Sequence, residues 1–381
     1  TVGNNLTITE GSLATGAKTV TVRGNIINSD TIKSTSGGIL ITNRGIVNLV
    51  TVTNGGSYTS VPTVTIAAPG GSGIQATAVA IFNGTPSGSN PLPVARIAIT
   101  NTGSGYTSAP TVSFSAGAAT ATASISTTHE LGGNGNGVFG SLELNEPHPS
   151  EASEKVEVTY LSANQSITDT LAITDGVLDI KAKSLTLDGY MGSETLTDYS
   201  PTKMIRTSGN HSDLGMSRRI TSNATYIYPL GIYTKTGDGS RYTPISQAFT
   251  SVSDTGYVQL NNVDNELPTL APSAQSALQY YWRVRHSGFS TIPEVYNIFY
   301  FFNTPASYYP GVGNPSSWKT GKIVGVNRYY DLGPLNWSNP TKDLSLEYSH
   351  QESGQTGSSP PELQEGEFTT GHNTRFAGTV Q

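Results

Sequence analysis

Apolar residues alternate with threonine or another polar residue in short stretches along the first part of the chain. The stretches cover residues 6–9, 19–22, 26–32 and 38–42, and turn-forming residues separate them. Alternation with a period of two is typical of a β-strand with one buried face. No segment keeps apolar residues at helical spacing for more than about two turns. We therefore expect an all-β protein with little helix.

A 19-residue pattern occurs twice. Residues 6–24 read LTITEGSLATGAKTVTVRG, and residues 171–189 read LAITDGVLDIKAKSLTLDG. Each copy has an alternating strand, an acidic-glycine turn and another alternating strand. Repeated units of this kind are typical of stacked scaffolds. We predict β-solenoid-like rungs over residues 1–45 that resume, after a linker, within residues 130–190; a flat sandwich sheet would show the same alternation.

A second repeat separates these two regions. Residues 52–66 read VTNGGSYTSVPTVTI and residues 99–114 read ITNTGSGYTSAPTVSF, and an alanine- and threonine-rich stretch follows each copy. Glycine permits positive φ in the turn, and Pro62 and Pro110 can each begin a strand where no ladder N–H is needed. The sequence predicts an inserted two-copy β-repeat module over residues 46–129.

The aromatic composition changes near residue 190. All three tryptophans (Trp282, Trp318 and Trp337) and 16 of the 19 tyrosines lie at or beyond Tyr190. Alternating strands with an aromatic core favour a C-terminal antiparallel β-sandwich over residues 191–381.

Charge and composition narrow the functional classes. Charged residues make up 13% of the chain, against about 25% in an ordinary soluble domain. The net charge is −6, and no run of lysine and arginine is long enough to follow a phosphate backbone. There is no cysteine and no apolar stretch long enough for a membrane-spanning helix. We expect an extracellular or cell-surface protein, either a processed mature chain or a segment of a longer one, with no nucleic-acid partner.

Several phrases in the third region resemble a known group of proteins. KMIR at 203–206, MSRRI at 216–220, ATYIYPLG at 224–231, RYTPI at 241–245 and YWRV at 281–284 resemble phrases of the large modular surface proteins of Bacteroidota. The GSGYTSxPTV repeat is similar to one found in the same proteins. The resemblance implies a secreted or cell-surface protein, often exported by the type IX system and used in adhesion, gliding or surface coating. The chain departs from such cargo in that we find no terminal sorting domain.

Candidate metal sites are few. The six histidines include no pair at metal-ligand spacing. Asp238 and Asp264 could offer oxygen ligands to Ca²⁺, but neither keeps the ligand ladder of an EF-hand loop, and turn formation explains both. We predict no metal site and no cofactor.

Clusters of residues that could act in catalysis are also few. His211 and Asp213 lie near Arg218 and Arg219, which we interpret as a loop with solvated charges. A β-solenoid can host polysaccharide lyase chemistry on one face, and Lys181, Lys183 and Asp188 could share such a face. The first copy of the 19-residue pattern has Gly16, Lys18 and Arg23 at the matching positions, so the acid is not repeated. We predict no catalytic residue and no enzyme.

Two groups of residues are candidates for binding. Aromatic residues in glycine- and proline-rich loops could stack on sugars or bury area at an interface, with core packing as the alternative. An isolated alternating stretch near the end could pair with a neighbouring subunit as an added strand. The aromatic group comprises Tyr308, Tyr309, Trp318, Tyr329, Tyr330 and Trp337, and the assembly stretch comprises Arg375, Phe376, Ala377, Gly378, Thr379 and Val380.

The sequence therefore predicts a structural or adhesive surface protein, in the form of a filament or fibre subunit that assembles through terminal strands. Its expected partners are further copies, neighbouring modules of a larger chain, or surface glycans. The alternatives are a carbohydrate-binding or polysaccharide-cleaving β-solenoid and a phage or viral tail fibre.

Overall fold

The structure is a computed structural model. It describes residues 2, 5–42, 45–70, 73–106, 108–126, 128–146, 158–233, 240–265, 280–301, 318–323, 329–334, 348–351 and 366–372. The described residues form an all-β fold with no α-helix, and one short 3-10 turn covers Leu196–Asp198. The predicted all-β class and the small helix content are confirmed.

The first strands are short, and turn residues separate them. They are β1 (Leu6–Ile8), β2 (Ser12–Gly16), β3 (Thr19–Val22), β4 (Ile26–Asn28), β5 (Thr31–Ser34) and β6 (Gly38–Thr42). Six further strands follow: β7 (Ile46–Asn54), β8 (Thr63–Ile66), β9 (Thr77–Ile81), β10 (Arg96–Asn101), β11 (Val112–Phe114) and β12 (Thr120–Ser126).

The short strands then resume as β13 (Thr128–Gly132), β14 (Gly137–Phe139), β15 (Leu142–Asn145), β16 (Val158–Leu161), β17 (Gln165–Ile167), β18 (Thr170–Lys181), β19 (Ser184–Leu187), β20 (Tyr190–Met191), β21 (Lys203–Thr207) and β22 (Gly215–Ile220). The remaining strands are β23 (Thr225–Tyr228), β24 (Leu230–Tyr233), β25 (Ser240–Tyr242), β26 (Ile245–Phe249), β27 (Gly256–Val263), β28 (Tyr281–Ser287), β29 (Val295–Phe301), β30 (Trp318–Ile323), β31 (Tyr329–Pro334), β32 (Tyr348–Gln351) and β33 (Gly366–His372).

Parallel pairing arranges the short strands in three ladders. Ladder 1 is β1, β4, β13, β16, the second half of β18, β21 and β24. Ladder 2 is β2, β5, β14, β17, β19 and β22. Ladder 3 is β3, β6, β15, the first half of β18 and β20. Because β18 belongs to ladders 1 and 3, these two ladders form one parallel, nearly closed sheet, while ladder 2 belongs to a separate sheet.

Columns of apolar side chains fill the space inside the ladders. In ladder 3, Ile39, Leu142, Leu171 and Met191 share one register and are at most 4% exposed. Burying a leucine or isoleucine side chain contributes about 1.5–3 kcal/mol, so the ladders hold together through these columns as well as through backbone hydrogen bonds.

The two copies of the 19-residue pattern occupy different ladders. Leu6 lies in ladder 1 and its counterpart Leu171 in ladder 3; Leu13 lies in ladder 2 and its counterpart Leu178 in ladder 1. The pattern therefore encodes a strand, turn and strand that fit at any corner of the ladders, and the second copy is displaced by one ladder.

Strands β7–β12 have a hydrophobic core of their own. They pair in the order β10, β9, β8, β11, while β12 pairs with β7. A bridge from Thr111 to Thr122 and a hydrogen bond from Val47 N–H to Thr102 C=O, 2.8 Å long, link the two groups of strands. Six strands therefore surround this second core.

Antiparallel strands continue the fold beyond the ladders. Ladder 2 extends through β27, β28, β33, β30 and β31, and a separate sheet has the order β23, β26, β29, β32. Trp282 is fully buried, and its Nε1–H donates to Thr243 C=O over 3.0 Å. The core around Trp282 is continuous with the core of the ladders.

Candidate functional site

Charged and aromatic side chains form a row across ladder 1. Glu130, Tyr160, Asp179 and Arg206 occupy the same register on β13, β16, β18 and β21. Lys181 follows two residues after Asp179 on β18, across an irregularity in the pairing, and its Nζ lies over the Tyr160 ring. We call these five residues the charged row.

Close contacts link the members of the charged row. Tyr160 Oη–H donates to Glu130 Oε2 over 3.4 Å, and Ser162 Oγ–H donates to Glu130 Oε1 over 2.5 Å. Lys181 Nζ lies 3.6 Å from the centre of the Tyr160 ring. Arg206 Nη2 lies 2.7 Å from Asp179 Oδ2, and both residues are buried. Two carboxylates and two cations thus compensate each other within the row.

The environment keeps the tyrosine of the row protonated. Burial raises the pKa of Tyr160, and the negative charge of Glu130 and the hydrogen bond to it raise that pKa further. A phenol with a raised pKa is a poor general base near neutral pH. Tyr160 is therefore suited to donating a hydrogen bond rather than to abstracting a proton.

Lys181 holds a strained backbone conformation. Its φ is 51°, which makes it the one non-glycine residue with positive φ among those the structure describes. Asp179 Oδ1 accepts the Lys181 N–H over 2.9 Å, and Lys183 N–H closes the turn on Ile180 C=O over 2.9 Å. The same turn in the first copy has Gly16 with a φ of 59°. The second copy thus has a cation where glycine would fit without strain.

A second ion pair lies deeper in the molecule. Arg218 is 1% exposed and donates to both carboxylate oxygens of Glu194, over 2.8 and 2.6 Å, and to Ile227 C=O over 2.8 Å. Nearby, burial raises the pKa of Tyr199 to about 12 and also raises that of Tyr228. Arg218 therefore ties the segment after β20 to β22 and β23, which is a structural role.

A third polar cluster lies inside the ladders. His129 Nε2 is 3.7 Å from Glu146 Oε1, and Thr159 Oγ1–H donates to both Glu146 oxygens over 3.1 Å. All three residues are almost fully buried. These groups satisfy one another in the interior, out of contact with solvent.

The predicted binding residues fall mostly beyond the described part of the chain. Outside it lie the assembly stretch Arg375–Val380 and three of the aromatic residues, Tyr308, Tyr309 and Trp337. Trp318 begins β30, and Tyr329 and Tyr330 begin β31, so these three residues lie in paired strands rather than in loops. Their role in glycan binding or at an interface stays a prediction.

The predicted charged candidates are rearranged by the fold. Lys181 belongs to ladder 1, whereas Asp188 follows β19 in ladder 2 and accepts the Tyr257 Oη–H over 2.8 Å. The proposed shared face for Lys181, Lys183 and Asp188 is therefore wrong. Asp213 is fully buried, and burial raises its pKa, so it is not a solvated loop charge.

Metal ligands do not gather in the described residues. No group of three or more histidine, aspartate or glutamate side chains there is placed to hold an ion. Asp264 lies in the turn after β27, where its N–H donates to Gly209 C=O over 2.8 Å, and Asp238 lies outside the described residues.

Sequence reasoning missed Glu130, Tyr160 and Arg206 as members of one row. Their common register depends on how many residues each corner of the ladders contains, and β7–β12 interrupt the count between β6 and β13. The spacing of 27 residues from Asp179 to Arg206 carries no recognisable signal by itself.

Comparison with known proteins gives no relative. No protein-family model matches the chain, and neither the curated proteins nor the solved structures include a significant match. Within the described residues, no helix has the length and apolar character needed to span a membrane.

Proposed function

We propose that this chain is an extracellular structural or adhesive surface protein whose scaffold is a β-solenoid. Each group of three consecutive short strands is then one coil, and the ladders are the three faces of successive coils. The observation that carries the proposal is the continuous core that extends from β3 through the ladders to β28. Such a core resists local opening because each coil covers its neighbour. The two antiparallel sheets beyond it form the proposed sandwich.

The six-stranded module of β7–β12 suits a role in display. It begins and ends next to the coils, at β6 and β13, and has a separate core. Thr77, Thr65 and Ser113 share one register on its outside, and hydroxyl hydrogen bonds join Thr77 to Thr100 and Thr120 to Thr53. All of these side chains are exposed, and we call them the hydroxyl row: Thr100, Thr77, Thr65, Ser113, Thr120 and Thr53. The row carries no charge, so the surface it fits best is a neutral, hydroxyl-rich one such as a surface glycan.

The buried charges support a structural role over an enzymatic one. Arg218 pairs with Glu194, Arg206 pairs with Asp179, and Glu146 is held by Thr159. Groups that are matched inside the fold stabilise one arrangement of the chain and leave little for a substrate to engage.

Adhesion by a module-deleted variant tests the proposal. Residues 46–126 are replaced by a short glycine-serine linker, and beads coated with each protein are tested for retention on neutral polysaccharide and on bare glass. We expect the scaffold to keep its strand content and the beads to lose retention on polysaccharide. Thr65→Lys with Ser113→Lys, placed at the centre of the hydroxyl row, should reduce retention without unfolding. Full retention by both variants would contradict the adhesive role of the module.

The charged row favours a second candidate function, cleavage or binding of an anionic polysaccharide. Lys181 is an exposed cation that could neutralise a uronate carboxylate beside Tyr160. A reducing-end assay on polyuronates with the wild type and Tyr160→Phe decides this candidate. Release of new ends by the wild type and not by the variant would favour it over the scaffold role.

A further inference from the structure

A hydroxyl, a carboxyl and an imidazole meet inside the ladders, where the chain passes from ladder 3 to ladder 1. His129 on β13 and Thr159 on β16 are register partners in ladder 1, and Glu146 directly follows β15 of ladder 3. The exposed fractions of the three residues are 4%, 0% and 1% in that order. We call these residues the corner triad, and the fold shields them from bulk water.

The Thr159 hydroxyl lies midway between the two oxygens of the Glu146 carboxyl. Its Oγ1 is 3.1 Å from Oε1 and 3.1 Å from Oε2. An oxygen in this position is about 3.5 Å from the carbon between them, at the edge of the 3–3.5 Å separation of near-attack arrangements. The last torsion of a glutamate side chain is broad, so a rotation of the carboxyl turns the face of that carbon towards Oγ1.

Other hydroxyl–carboxylate contacts in the described residues have a different geometry. Ser141 Oγ contacts Asp169 through Oδ2 at 2.8 Å, and Thr174 Oγ1 contacts Glu143 through Oε1 at 2.9 Å. Each of these hydroxyls is directed at one carboxylate oxygen, as in an ordinary hydrogen bond. Thr174 is also exposed, so water competes for its hydroxyl.

The histidine of the corner triad is oriented to transfer a proton. His129 Nδ1 lies 2.8 Å from Gly24 C=O, and Nδ1 must carry a hydrogen because a carbonyl oxygen only accepts. Nε2 then faces Glu146, at 3.7 Å from Oε1. In the charged form of the ring, the Nε2–H is therefore placed to protonate Oε1.

The backbone holds the carboxyl of the corner triad in place. Glu146 N–H donates to Asp175 C=O over 3.3 Å. A Cβ at Gly176 would lie 3.1 Å from Glu146 Oε2. Glycine at position 176, where φ is 91°, thus leaves the space that the Glu146 side chain occupies.

We propose that Thr159 and Glu146 condense to an ester, which cross-links ladder 1 to ladder 3. A lone pair of Thr159 Oγ1 forms the bond to Glu146 Cδ, and the Cδ–Oε1 bond breaks with its electron pair. Oε1 receives the hydroxyl proton of Thr159 and the Nε2 proton of His129, and it leaves as water. The carboxylate and the imidazolium lose their charges together, so the atoms and charges balance without a further reactant.

The folded chain favours this condensation over hydrolysis. Groups that one fold holds in a reactive geometry reach effective molarities of about 10⁵–10⁸ M, which exceeds the concentration of bulk water by orders of magnitude. The water that leaves passes from a buried site to solvent, and its return requires the corner triad to open.

The ester goes beyond the scaffold role proposed above and does not depend on it. It closes a loop from Glu146 to Thr159 around residues 147–158. A covalent link of this kind stabilises a fold by limiting the conformations of the unfolded chain. A force along the chain would then pass through the ester instead of through the loop.

Mass spectrometry of the denatured chain tests the proposal. We expect the intact chain to weigh one water molecule less than its sequence requires. Trypsin cuts after Lys155, which separates Glu146 from Thr159, so peptides 97–155 and 156–181 should remain joined. Mild alkali hydrolyses an ester and leaves peptide bonds intact, so it should separate the two peptides and distinguish the ester from a missed cleavage.

Matched variants locate the bond. Thr159→Val replaces the hydroxyl with a methyl group of similar size and should give a chain of full mass and two separate peptides. Thr174→Val removes the hydroxyl that contacts Glu143, within the same two peptides, and should leave them joined. His129→Gln removes the group that transfers the proton and should lower the joined fraction.

Two outcomes would overturn the proposal. One is a wild-type chain of full mass whose two peptides separate without alkali, and the other is a link that persists in Thr159→Val. Neither outcome affects the hydroxyl row, so bead retention tests the adhesive role separately.

Discussion

Single residues in the turns between ladder strands show how backbone conformation limits the sequence. Gly16 and Lys181 occupy the same turn with φ near 50–60°, yet one is glycine and the other carries a long cationic side chain. Glycine adopts this region without strain, whereas an L-residue there is less stable by about 1–2 kcal/mol. Asp179 and Tyr160 hold Lys181 in place through a hydrogen bond and a cation–π contact.

Gly16→Ala should lower the free energy of unfolding by about 1 kcal/mol. Nothing lies within 4 Å of the added Cβ, so the effect isolates the backbone conformation. Gly88→Ala, where a Cβ also meets nothing within 4 Å and φ is not positive, is the matched control and should change stability little. Urea denaturation measures both, and equal effects would contradict the conformational explanation.

Tyr106→Phe should destabilise the six-stranded module more than Tyr58→Phe. The Tyr106 hydroxyl accepts the Ala76 N–H over 2.8 Å and donates to Ala67 C=O over 3.0 Å, so its loss leaves two backbone groups unpaired, at about 1–3 kcal/mol. The Tyr58 hydroxyl accepts one longer bond, 3.3 Å, from Ala119 N–H. Amide hydrogen exchange in β7–β12 should rank the two variants, and the reverse order would exclude this assignment of the hydroxyls.

Asp213 makes stability depend on pH in an unusual direction for a carboxylate. Burial raises its pKa above 3.8, so the folded chain binds a proton more readily than the unfolded chain. Its contribution is complete below about pH 4 and is lost as the pH rises through the raised value. Asp213→Asn should therefore be less sensitive to pH across this window in urea denaturation, and identical pH profiles for both proteins would refute the prediction.

At the scale of strands and turns, the charged row crosses four neighbouring strands of ladder 1. Asp179 and Arg206 are both buried, and removing one member of such a pair leaves an uncompensated charge. The row therefore holds β18 and β21 in register in addition to their backbone pairing.

A double-mutant cycle measures this contribution. Arg206→Met alone should lower the free energy of unfolding by about 3–5 kcal/mol, and Arg206→Met with Asp179→Leu should cost clearly less. The surface change Lys33→Met is a control for loss of a cation, since Lys33 is exposed. Asp179→Leu alone completes the cycle, and additive effects of the two single changes would mean that the pair contributes no coupling.

The sequence predicted the class of the elements better than their arrangement. Alternation of apolar residues with threonine identified β-strands, because that period directly reflects one buried face. It could not assign Leu171 to a ladder, since all three ladders use the same alternation. Glu130, Tyr160 and Arg206 were missed for the same reason: their common register depends on the number of residues between successive strands of ladder 1, and turns of different size make that number irregular. Three of the six aromatic candidates, Tyr308, Tyr309 and Trp337, lie outside the described residues. The binding role of all six stays a prediction.

At the scale of the whole molecule, one continuous core joins the ladders to the antiparallel sheets, and a second core belongs to β7–β12. In the proposed function, the first core belongs to the supporting scaffold and the second to the display module. Substitutions in the ladders should affect the stability of the entire scaffold, whereas substitutions in β7–β12 should remain local because the two cores are separate.

Amide hydrogen exchange followed by mass spectrometry on the intact chain tests this account most directly. We expect residues of β1–β6 to share one opening free energy with β13–β22, although residues 46–126 separate them in sequence, and the module to open independently. If β1–β6 instead opened together with β7–β12, and apart from β13–β22, the coiled scaffold with an inserted module would be contradicted.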